Sequence, residues 1–394
     1  MLKKLSLFLL TAASVFALKT GVYAENIKQT EAETHEITVK WTYSNVTSLQ
    51  ISEKASEDSF DDEKTVRDGK KEYSVSGLKA GRSYFLRVKA GGVWQEVIEV
   101  STCPDYHDMA DVEQTDAGKN SATVSWGAAP GATGYEVYLG ADNSDRRLKK
   151  VLTTNAKKAV LNISKAAYVK VVPFRKLDNG YIAMDKDKDG QHEDDIKPLP
   201  GKVTKIKQDK TSKSIKITWE EMEEADGYQL LCTDYKGKGK VRKNFLSFET
   251  KCFLDDKRPT FLKVKMRAYV NVRNGKKFGA WTKEKVVVPD VLAHGFSTTS
   301  YTSGSLPKVK IYWGKIKGAK KYEVYMSTSY DGPYKKIKTT KKRNLYISSF
   351  RGHKLAWIQA YYFKIVAVGK IDKKVYRTKK NLVKSWSRNK IDRD

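Results

Sequence analysis

Cysteine is nearly absent: the 394 residues include three, Cys103, Cys232 and Cys252. Three thiols cannot form the disulfide framework that staples small secreted domains, so apolar cores must carry the stability. Cys232 and Cys252 fall on neighbouring predicted strands. That placement leaves two readings open, a bridge or two small apolar residues in a reduced setting, and the second is preferred. Histidine is also scarce: His35, His107, His192, His294 and His353 are scattered, with no pair at metal-ligand spacing. No Gly-x-Ser-x-Gly elbow, His-Glu-x-x-His pair or phosphate-cradling glycine loop occurs. These absences argue against an enzyme and require no cofactor. Beyond residue 24 no apolar run reaches the ~20 residues that a membrane-spanning helix needs, and no stretch has a helical period.

The N-terminus carries a different signal. Lys3 and Lys4 precede the mostly apolar run Leu5 to Leu18, and Val22-Tyr23-Ala24 places tolerated residues at a cleavage site. This pattern predicts an export signal over 1–24, hence a secreted protein. No Leu-Pro-x-Thr-Gly occurs near the C-terminus, so covalent wall attachment is not expected. The rest is too long for one core and has room for several, since 40% of all residues are hydrophobic.

An internal repeat organises the chain. Four alternating strands end in tryptophan: Ile37 to Trp41, Ala122 to Trp126, Ile215 to Trp219 and Val309 to Trp313. In the last three copies a tyrosine follows the tryptophan by nine residues, at Tyr135, Tyr228 and Tyr322. A late strand places apolar residues at every second position, as in Tyr84, Leu86, Val88 and Ala90, or Tyr361, Phe363, Ile365 and Ala367. The third copy reads Leu262, Val264, Met266 and Ala268. Period-two alternation marks half-buried strands, and about seven of them in ~90 residues argue for a two-sheet sandwich.

These residues resemble fibronectin type III modules, and the resemblance covers nearly the whole chain after the signal. The carriers are the tryptophan–tyrosine spacing, the Gly134-Tyr135-Glu136-Val137-Tyr138 strand and the turn Ser76 to Tyr84. The resemblance implies that the four repeat tryptophans fill cores and that the late tyrosine anchors a turn. It suggests a secreted bacterial surface protein. The expected fold is all-β, four tandem immunoglobulin-like (fibronectin type III-like) β-sandwiches after a signal peptide. Their expected extents are 25–103, a divergent first copy, then 104–199, 200–289 and 290–394. Short proline-containing junctions predict semi-rigid spacing between them.

Charge is uneven. The net of +29 divides into +3 for the signal segment, then −3, −1, +11 and +19 for the four repeats. A basic C-terminal half suits a polyanionic partner. In the last repeat Lys335, Lys336, Lys338, Lys341, Lys342 and Arg343 line one predicted hairpin. Lys373, Lys374, Arg377, Lys379 and Lys380 line another. The alternative is that lysine keeps an exposed β-module soluble and protects its edges. For an exported chain the candidate partners are an anionic cell-wall polymer or an extracellular glycan, with non-covalent wall association. An adhesin that binds a host surface protein or glycan through loops is the rival reading, and intracellular nucleic acid is disfavoured.

Two more candidates stand out. Asp185, Asp187, Asp189, Gln191 and Glu193 place oxygen ligands at alternating positions around Gly190, as calcium loops do. Ile196 stands where an EF-hand needs its bidentate glutamate, so the loop is either a non-EF calcium site or a solvated acidic turn. Trp94, Trp281, Trp357 and Trp386 lie outside the core register and are either packed or platforms for sugar rings.

Overall fold

The structure, a computed structural model, describes residues 26–142, 148–185, 193–209, 215–254, 260–289, 296–303, 306–356, 359–378 and 382–386. Among them there is no α-helix. Alternating burial explains the strands: along Ile215–Thr218 the isoleucines are buried while Lys216 and Thr218 turn outward.

The first sandwich comprises β1 (Ile27–Ala32), β2 (Glu36–Trp41), β3 (Val46–Ser52), β4 (Glu63–Thr65), β5 (Glu72–Ser76), β6 (Ser83–Ala90), β7 (Val93–Trp94) and β8 (Ile98–Ser101). The second comprises β9 (Glu113–Gly118), β10 (Ser121–Ser125), β11 (Gly134–Gly140), β12 (Lys149–Thr154), β13 (Lys158–Asn162), β14 (Ala167–Lys176), β15 (Ile182–Ala183) and β16 (Glu193–Ile196). The third comprises β17 (Lys207–Asp209), β18 (Ile215–Thr218), β19 (Gly227–Asp234), β20 (Val241–Leu246), β21 (Lys251–Leu254), β22 (Leu262–Val272), β23 (Gly275–Phe278) and β24 (Lys285–Val287). The fourth comprises β25 (Phe296–Ser303), β26 (Leu306–Trp313), β27 (Ala319–Ser327), β28 (Lys335–Thr340), β29 (Asn344–Ile347), β30 (Ser349–Phe350), β31 (His353–Lys354), β32 (Tyr361–Ile371), β33 (Lys374–Arg377) and β34 (Leu382–Trp386).

One topology recurs four times. A three-stranded sheet (β1-β2-β5, β9-β10-β13, β17-β18-β21, β25-β26-β29) accompanies a larger one (β4-β3-β6-β7, β12-β11-β14-β15, β20-β19-β22-β23, β28-β27-β32-β33). In each larger sheet a last strand, β8, β16, β24 or β34, also pairs with the long central strand. All described pairings between these strands are antiparallel. The first copy, divergent in sequence, has the full set, with β3 carrying Leu49 into its core.

The repeat tryptophans are buried as expected: Trp41, Trp126, Trp219 and Trp313 are each at most 6% exposed. The nine-residue spacing to tyrosine also has a structural reason. The phenol oxygens of Tyr135, Tyr228 and Tyr322 accept the backbone N–H of Ala129, Met222 and Ile316, at 3.1, 2.7 and 3.1 Å. The late tyrosines Tyr84 and Tyr361 anchor turns in the same way, through the N–H groups of Lys79 and Ala356.

By packing, the chain divides into two compact units. One holds residues 1–109, 128–136 and 172–191, and the other 110–127, 137–171 and 192–394. Within the second unit the end of β22 lies on β9. The Arg273 N–H donates to the Gln114 carbonyl at 2.8 Å, and its guanidinium meets Glu113 at 3.0 Å. Further along the same unit, Phe261 leads into β22 but is buried in the core of the fourth sandwich, with Ile316 and Ile371. Gly318, at φ +89°, permits this approach. A side chain there would sit within about 3.2 Å of the Tyr235 and Phe261 rings.

Candidate functional site

The two basic hairpins of the fourth sandwich occupy opposite edges of one sheet. β28 carries Lys335, Lys336 and Lys338, and β33 begins at Lys374, with β27 and β32 between them. At the usual strand spacing the two edges stand roughly 14 Å apart. Edge strands suit lysine because its charge opposes pairing with another chain. All three β28 lysines are exposed, as are Lys341, Lys342 and Arg343 in the turn that follows. That turn is fixed by its backbone, since the Trp313 N–H donates to the Arg343 carbonyl at 3.0 Å. On the far edge, Asp372 and Lys373 both adopt left-handed conformations, with φ 47° and 67°, and close a two-residue hairpin between Ile371 and Lys374. Lys373 is thereby held at a turn tip.

Not every predicted cation faces solvent alone. The Arg377 guanidinium lies 3.9 Å from the carboxylate of Glu323, a residue only 7% exposed, which also accepts the Tyr325 hydroxyl at 2.9 Å. Lys379 and Lys380 lie outside the described residues.

The calcium-like loop is mostly outside them too. Asp187, Asp189 and Gln191 are not described, and Glu193 is described only by its backbone, which opens β16 opposite Lys170. Asp185 lines a small polar cleft with Glu33, His35, Glu36 and Ser76. Among the described residues no three acidic, histidine or cysteine side chains converge as a metal set.

The two cysteines, for which the sequence left a bridge or two small apolar residues open, lie across the third sandwich from one another. Cys232 lies on β19 and Cys252 on β21, strands of opposite sheets rather than neighbours in one. Both point into the core of the third sandwich as free thiols. Burial there pushes each thiol up to about 11. Cys103 is likewise buried, its thiol donating to the Ala32 carbonyl at 3.0 Å.

The tryptophans outside the core register serve a purpose that the sequence left open. In the first sandwich the Arg87 guanidinium stands 4.8 Å from the Trp94 ring, and Gln50 accepts its Nε–H at 3.0 Å. In the third, Arg267 stands 4.4 Å from Trp281 and 3.7 Å from Phe278, and Gln229 again accepts. Both glutamines are buried and are register partners of their arginines. A cation thus stands over each of these two indole rings, an arrangement that stabilises the sheet. Nothing in the sequence pairs Gln50 with Arg87, 37 residues away, before the sheet is assembled. Trp357 and the Trp386 side chain lie outside the described residues.

No protein-family model matches the chain, and no curated protein matches it. Among solved structures the chain is similar to the chicken CNTN1 FN1–FN3 domains, at 17% identity and TM-score 0.28, covering 66% of this chain and 97% of that one. It is also similar to a segment of two fibronectin type III domains from chicken tenascin, at 11% identity and TM-score 0.27, covering 46% and 99%. No helix among the described residues is long and apolar enough to cross a membrane. The chain is an all-β array of tandem antiparallel sandwiches, each joining a three-stranded sheet to a larger one.

Proposed function

We propose that the protein is a non-catalytic binding and spacer array outside the cell, whose basic C-terminal sandwiches hold an anionic surface polymer or glycan. The observation that carries this reading is the distribution of charge. The first two repeats are close to neutral, whereas the last two hold +11 and +19. In the fourth, exposed lysines stand on both edges of one sheet. A requirement for solubility alone would not concentrate charge at one end of a repeat array, whereas a polyanion gains affinity from each added cation that it meets. The packing of Phe261 into the next core supports the reading, because it links the two basic sandwiches within one unit.

Fractionation of the producing cells at low and high salt tests it. Wall-associated protein released by salt alone supports retention by charge. Association that survives high salt contradicts it and favours an adhesin that acts through its loops.

A further inference from the structure

One row of the three-stranded sheet changes character along the chain. It is centred on the residue three before each core tryptophan: Thr38, Thr123, Lys216 and Lys310. Their register partners on the third strand of each sheet are Ser74, Val160, Phe253 and Tyr346. In the first sandwich this place is a hydroxyl pair, with Thr38 and Ser74 2.9 Å apart. In the two basic sandwiches it becomes a lysine beside an aromatic ring.

The rings are not there for the core. Phe253 is 52% exposed and Tyr346 60%, while the neighbours Cys252, Leu254 and Ile347 face inward. The charge beside them is mostly positive. Lys310 stands 5.1 Å from the Tyr346 ring. Lys251 shares β21 with Phe253, and the Lys243 ammonium reaches the Phe253 carbonyl at 3.5 Å. Asp209 is the register partner of Lys216 on the other side. A second exposed ring, Tyr312 at 42%, lies one row further on the fourth sandwich.

We propose that the Lys216–Phe253 and Lys310–Tyr346 pairs are equivalent subsites for an acidic polysaccharide. The aromatic ring stacks on the C–H face of a sugar while the lysine meets its acid group. This inference rests on the polyanion reading above and adds sugar contacts on the sheet opposite the lysine-edged one. A polysaccharide fits better than a nucleic acid. Single-stranded nucleic acids are held in grooves with rings for successive bases, whereas here one lysine–aromatic pair stands on an open sheet in each of the two basic sandwiches.

The test is calorimetric titration of the full chain with polygalacturonate oligosaccharides, with neutral dextran and an oligothymidylate as comparison probes. The variants Phe253→Ala and Tyr346→Ala are the primary set. Phe253→Leu and Tyr346→Leu keep apolar area without a ring, should an alanine variant unfold. Expected is about a tenfold loss of polygalacturonate affinity per ring, taking sugar stacking as comparable to base stacking, with the salt dependence unchanged. Unchanged affinity in the ring variants, with binding by the unaltered chain intact, would overturn the subsites and leave the charge reading standing. Tighter binding of oligothymidylate than of polygalacturonate would overturn the ligand class. No binding of either polyanion by the unaltered chain would sink the subsites and the charge reading together.

Discussion

Trp219 and Tyr228 meet edge to face inside the third sandwich, with ring centroids 5.6 Å apart and planes at 65°. Trp313 and Tyr322 repeat the arrangement in the fourth at 5.5 Å and 64°. Each tyrosine also holds the backbone six residues upstream by its hydroxyl. The indole N–H groups of Trp219 and Trp313, by contrast, are buried with no hydrogen-bond partner among the described residues. The tryptophan is therefore kept for its volume and ring, and the tyrosine for both ring and oxygen.

Tyr228→Phe keeps the ring and removes the acceptor of the Met222 N–H. The expected cost is about 1 kcal/mol, the usual net worth of such a hydrogen bond. Urea denaturation checks it: the midpoint falls with the slope unchanged. An unaltered midpoint would show that the Met222 amide finds another acceptor.

Phe261→Ala removes a ring from the core of the fourth sandwich although the residue leads into a strand of the third. A buried phenylalanine truncated to alanine costs about 3–5 kcal/mol. Amide exchange in β27 and β32 should therefore accelerate. Faster exchange confined to β19 and β22 would contradict the shared junction.

Asp194 sits where the second sandwich meets β22, in a polar cleft with Glu113, Asp195, Asp226 and Arg273. Burial raises its carboxyl above the usual carboxylate range, outweighing the backbone N–H bond from Gln114 that lowers it. A raised folded value means that the folded form holds the proton longer. Its contribution is favourable at acid pH and is lost as pH rises through the folded value. Asp194→Asn should therefore raise the thermal midpoint modestly at neutral pH and leave it nearly unchanged at acid pH. A midpoint lowered at neutral pH would mean that the charge is needed there.

All three thiols are buried, and Cys232 and Cys252 ionise only near pH 11. Thiolate is the reactive form, so the native chain should resist a thiol reagent at neutral pH. In denaturant without reductant all three should react. A single reactive thiol under those conditions would reveal a cross-sheet bridge.

Much of this protein follows from local pattern. Alternation over Ile215 to Trp219 sets which side chains are buried, because a strand's two faces are fixed by a period of two. The recurring tryptophan marks the same strand four times, and the concentration of lysine in the last two repeats needs no structure at all. What residues far apart in sequence do together depends on which strands pair, and that order is non-local. Sheet assembly sent Cys232 and Cys252 to opposite layers, set the basic hairpins on separate edges, and laid Arg87 and Arg267 over the outlying tryptophans. It also gave Phe261 to a neighbour's core and aligned Lys216 with Phe253 as Lys310 aligns with Tyr346. Spacing along the chain cannot express these relations, because cross-strand register forms only once each sheet closes on its apolar face.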